Sequence, residues 1–130
     1  NGGAEPAGGG VSVDDDNIFD KAAKEWAAGT LDEAALIGAL TKGDIMFAKA
    51  IVSVMADVSF RKAKLVFDAP NPKACVALAW RAGVSAETAE IMQEKICRIA
   101  PDDVLRAVDG GYPLPEKDLI WQIDIILSPA

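Results

Sequence analysis

Between Pro72 and Ala82 the chain reads PKACVALAWRA, with Lys73 and Arg81 as its only charged side chains. A helix of that composition has almost no polar face, so it is stable in water only if other elements cover it on nearly every side. Asp44 to Asp57 makes the same demand, since Asp44, Lys49, Ser53 and Asp57 form only a thin polar line along it. Two buried helices require several further helices as covering layers, and the rest of the chain supplies helix signals.

Asn17 to Ala28 places Ile18, Phe19, Ala22, Ala23 and Trp26 on one stripe, with Gly29 as the stop. Asp16 serves as its N-cap, with Asp14 and Asp15 favourable near a helix N-terminus. Thr30-Leu-Asp-Glu33 has the form of a capping box opening a helix to about Thr41. Gly43-Asp44 is a stop followed by a cap, Ser59 caps Phe60 to Asp68, and Asn71-Pro72 is a cap with a first-turn proline. Ser85 caps Ala86 to Ile99, Pro101 starts a short helix to Asp109 that Gly110-Gly111 breaks, and Pro115 opens a last helix to about Leu127. No strand pattern stands out. The expected fold is therefore all-α: about eight short helices in stacked antiparallel hairpins, as a HEAT-like superhelical or bundle-like array. Residues 1–16, Gly- and Asp-rich, read as a flexible linker or the remnant of an added sequence, and residues 17–130 as one helical domain. The first residue is not Met, which points to a piece of a longer protein.

Shifting the chain by 26 residues superposes Ala48 on Ala74, Ala56 on Ala82, Val58 on Val84, Ser59 on Ser85 and Ala63 on Ala89. Each unit is an apolar helix, a Val-Ser turn and an amphipathic helix, which puts the apolar member inside and the amphipathic member outside.

The stretch from Leu36 to about Glu90 resembles an uncharacterised bacterial family, domain of unknown function 2336. The resemblance lies in Gly43-Asp44, in Phe47 of the apolar helix, in the loop from Asp68, and in Arg81-Ala-Gly-Val-Ser85. It implies an all-helical, repeat-like fold and supplies no catalytic residues.

Chemistry is sparse. The chain has no histidine, the commonest general base, and two cysteines, Cys75 and Cys97, inside apolar helical patterns that make them small buried hydrophobes. No metal-ligand spacing or Gly-rich phosphate loop is present, and the Asp runs lack the ligand pattern of a calcium loop. No cofactor and no enzyme activity are expected. No apolar run is long enough for a membrane span. A net charge of −7 disfavours nucleic acid as a partner. The segment ALAWRAGVSAETAEIM has the form of a helix-turn-helix, but Glu87, Glu90 and Glu94 would face the phosphates, so Gly83, Val84 and Ser85 read better as a tight structural corner.

What remains is surface. SFRKAKL holds the one basic cluster, in which Arg61 and Lys64 share a helical face with Lys62 at its edge. In PEKDLIWQIDIIL, Leu119, Ile120, Ile123, Ile126 and Leu127 form one apolar stripe, while Trp121 and Ile125 point the other way. A helix apolar on two faces needs a second contact. The candidate partner-binding residues are thus Arg61, Lys62, Lys64, Trp121 and Ile125. The expected function is a non-catalytic protein-interaction or regulatory module of a larger bacterial, cytoplasmic protein, binding a protein partner or itself. A helix-turn-helix regulator is the alternative.

Overall fold

The computed structural model describes residues 13–128. Among them are seven α-helices and one 3-10 turn: α1 (Val13–Ala27), α2 (Glu33–Lys42), α3 (Ile45–Ala56), α4 (Phe60–Asp68), α5 (Pro72–Ala82), α6 (Ala86–Lys95), the turn Pro101–Asp103, and α7 (Glu116–Leu127). The described residues contain no strand; a single antiparallel bridge pairs Val108 with Gly111. The all-α class expected from the sequence is the observed one.

The expected caps set most boundaries. Gly43 ends α2 in the left-handed region, and the side-chain oxygens of Asp44, Ser59, Asn71 and Ser85 accept from backbone N–H groups in the first turns of α3 to α6. The corners after α3 and α5 are alike. Asp57 and Gly83 both take positive φ, Val58 and Val84 are both buried, and the N–H groups of those valines donate to Ser53 and Ala79 five residues back.

The apolar helices lie at the centre. α3 packs on α1, α2, α4 and α5, while α5 packs on α3, α4, α6 and α7. Two clusters meet on α5. Cys75, Leu78, Ala79 and Ala82 join the main core with Ile51 and Val52 of α3; Val76 and Ala77 join a smaller one with Leu119 and Ile123 of α7. This explains the missing polar face: α3 covers one side of α5 and α7 another.

Several expected boundaries differ. α1 begins at Val13, so Asp14, Asp15 and Asp16 all sit in its first turn and Asp16 is not its cap. The helical unit therefore takes in residues assigned to the linker, whose remaining part, 1–12, lies outside the described residues. Thr30 does not cap α2: its hydroxyl donates to the Glu25 carbonyl at 3.0 Å, and Asp32 accepts from Ala35 N–H at 2.9 Å instead. α6 stops at Lys95 rather than Ile99, with Arg98 at φ 55°. The helix expected over 101–109 is only the turn to Asp103, because the buried Gln93 side chain takes hold of Leu105. Its oxygen accepts from Leu105 N–H at 2.8 Å and its nitrogen donates to Leu105 C=O at 3.0 Å. Next, Asp109 and Gly110 both adopt positive φ, and Val108 and Gly111 exchange both backbone hydrogen bonds at 2.9 Å. That is a two-residue type I′ turn, which requires such residues. Trp26, expected in the core stripe, is 47% exposed at the end of α1. Ile120 likewise lies outside the buried stripe of α7.

Candidate functional site

The reactive groups are engaged in holding the fold. Cys75 and Cys97 are buried; a hydrogen bond to Cys97 together with burial holds the Cys75 thiol well above its usual range, the opposite of a reactive thiolate. Burial pushes the Tyr112 phenol up as well, and its hydroxyl donates to Val84 C=O at 2.6 Å. Glu90 accepts from Ala107 N–H at 2.7 Å, and Glu90 and Glu94 both pair with Arg106. Among the described residues no group of three or more His, Cys, Asp or Glu could hold a metal ion, and no helix is long and apolar enough to cross a membrane.

The basic cluster of α4 is divided by its surroundings. Lys62 donates from Nζ to Leu127 C=O at 2.7 Å, where a cation complements the C-terminal end of α7. Lys64 pairs with Asp68 at 2.7 Å, one turn along its own helix. Arg61 keeps no hydrogen-bond or ion-pair partner among the described residues. The expected cationic patch is therefore a single open guanidinium beside two ammonium groups already engaged.

Arg61 stands on the rim of a groove between α4 and α7, with a volume of about 370 Å³. Leu65 and Val66 wall it from α4, and Gln122, Ile125 and Ile126 from α7. Ala69 and Ala74 keep it open because their side chains end at Cβ. The apolar walls face solvent: Leu65 is 67% and Ile125 50% exposed. Trp121, 61% exposed, lies one turn before Ile125 beside a smaller depression lined by Lys73, Leu114, Asp118 and Gln122. Gln122 lines both hollows, so they lie next to one another along α7.

Four of the five residues singled out from the sequence border the two hollows: Arg61, Lys62 and Ile125 line the groove and Trp121 the smaller depression, while Lys64 is paired elsewhere. Leu65 is the residue that sequence reasoning missed, and it is the most exposed large hydrophobic among those described. The signal was available at 100° per residue: Phe60, Ala63 and Phe67 form the inward stripe of α4, and Leu65 falls on the opposite side with Arg61. No family model matches the chain, and comparison with characterised proteins and with solved structures finds no match either.

Proposed function

We propose that this chain is a non-catalytic helical interaction module of a larger bacterial, cytoplasmic protein, and that the α4–α7 strip is its working surface. The carrying observation is that exposed Leu65 and Ile125 wall one groove with a cation at its rim, while exposed Trp121 borders the adjoining hollow one turn along α7. Solvent-facing apolar side chains scattered singly are ordinary; gathered around a concavity they mark a contact surface.

The helix-turn-helix alternative has less support. The N-terminal turn of α6, which would have to approach nucleic acid, is covered by the Glu33 carboxylate, which accepts from Ser85 N–H at 3.1 Å and from Ser85 Oγ at 2.8 Å. Glu87, Glu90 and Glu94 add further negative charge along the same helix.

A photo-crosslinking residue replacing Gln122, which lines both hollows, tests the proposal in cells. The expected result is one discrete adduct with a polypeptide, lost when Leu65 is changed to Glu. Absence of any adduct, with the protein folded, overturns the reading.

A further inference from the structure

We infer that the occupant of the α4–α7 strip is the same strip on a second copy of this chain, related by a two-fold axis, with Trp121 of each copy filling the groove of the other. The inference rests on the interaction reading above and adds the identity of the partner.

Two complementarities carry it. The first is shape. Trp121 projects one helical turn from Ile125, so a large exposed apolar knob and an apolar groove of about 370 Å³ stand side by side on one face. A two-fold axis between them exchanges knob and groove, which is the condition for an isologous interface. The groove has room for a large side chain such as an indole, and Ala69 and Ala74 provide the space.

The second is charge. α4 and α7 meet so that Lys62 lies at the carbonyl of Leu127, which places Arg61 at the C-terminal end of α7. Asp118 lies in the first turn of α7, at the opposite end of the strip. From Asp118 to the C-terminal end of α7 is about 14 Å at 1.5 Å per residue. Trp121 and Ile125 occupy the stretch between. Turning a second copy by 180° about the middle brings its Asp118 to Arg61 of the first, and the reverse contact follows by symmetry. Lys73 flanks Asp118 across the smaller hollow but forms no ion pair with it, so the carboxylate stays open to a second cation. The net charge of −7 opposes pairing through most other faces, whereas here each carboxylate meets a guanidinium.

Sedimentation equilibrium of the whole chain tests this with four proteins. The wild type is expected to be a dimer at micromolar concentration. Trp121→Ala should raise the dissociation constant about tenfold or more, as loss of a central Trp anchor does, with the helical circular dichroism unchanged. Arg61→Glu and Asp118→Arg should each weaken the dimer, since each places like charges at both ends of the strip. An equal mixture of those two variants should recover it, because in the mixed dimer both charge contacts are attractive again. A wild type that stays monomeric at its highest soluble concentration overturns the inference, as does a mixture no tighter than its components. If the wild type is monomeric and the residue-122 crosslink joins a different polypeptide, the second copy is excluded and the interaction reading stands. If there is neither dimer nor adduct, both fall.

Discussion

Glu33 opens α2, yet its carboxylate satisfies the N-terminal turn of α6. It accepts from the N–H and hydroxyl of Ser85 and from the hydroxyl of the buried Thr88. Burial alone would raise its pKa, but the three hydrogen bonds outweigh burial and hold it below the ordinary 4.5. A carboxylate whose folded-state pKa is depressed stabilises fully above its unfolded value, and that contribution fades as pH falls through 4.5 and below. Glu33→Gln should therefore cost about 1 kcal/mol at neutral pH, and the gap to the wild type should narrow near pH 3. Urea denaturation at the two pH values reads this directly; an unchanged gap would mean that ionisation plays no part in the contact. The paired corners give a second residue-level prediction, with opposite signs. Gly83 sits at φ 83° with nothing within 4 Å of an added Cβ, so Gly83→Ala should cost about 1 kcal/mol through backbone strain alone. Asp57 sits at φ 56° and also puts a negative charge at the C-terminal end of α3. Asp57→Gly should therefore stabilise by about 0.5–1 kcal/mol. Equal signs for the two changes would refute the strain argument.

At the scale of elements, what the sequence disclosed was local chemistry. Gly43-Asp44, Ser59, Asn71-Pro72 and Gly83-Val-Ser85 end and begin helices by bonding their own neighbours, and each was readable because cap and capped group lie within five residues. Two of the misread boundaries were decided by distant groups. Glu33 left its expected capping box for a helix more than fifty residues on, and Leu105 is held by Gln93 twelve residues back, which stops a helix that Pro101 had suggested. The Asp109-Gly110 turn was legible, since Asp-Gly favours type I′ hairpins, but the reading gave the break to Gly110-Gly111. The same logic gives Gln93 a measurable weight. It is fully buried and satisfies both backbone groups of Leu105, so Gln93→Leu should strand them at a cost of about 2–3 kcal/mol. Hydrogen exchange at the Leu105 amide should quicken well beyond that at the amides of α3. A variant as stable as the wild type would show that the 104–108 segment needs no such clasp.

The whole molecule is unevenly covered, and that asymmetry links the fold to the strip. α5 buries seven residues and is enclosed by α3, α4, α6 and α7, so Leu78→Ala should cost about 2–4 kcal/mol by opening a cavity. α7 buries only Leu119 and Ile123, against the smaller cluster that α5 presents on its far side. Its other face carries Trp121 and Ile125 into solvent, and Lys62 bonds its final carbonyl. The sequence already revealed that α7 has two apolar faces, but it gave no sign that α4 would lie beside it and turn Leu65 outward, because that juxtaposition depends on how the chain folds back over α5. A helix held mainly along one stripe opens at lower free energy than one held on every side. Native-state hydrogen exchange in dilute protein should therefore find the amides of α7 exchanging through a local opening, while those of α3 and α5 exchange only with global unfolding. Occupation of the strip supplies the missing second face. Protection in α7 should accordingly rise with protein concentration in the wild type and stay flat in Trp121→Ala. If the amides of α7 and α5 instead share a single opening free energy at every concentration, α7 is an integral core helix, and its outer face gains nothing from a partner.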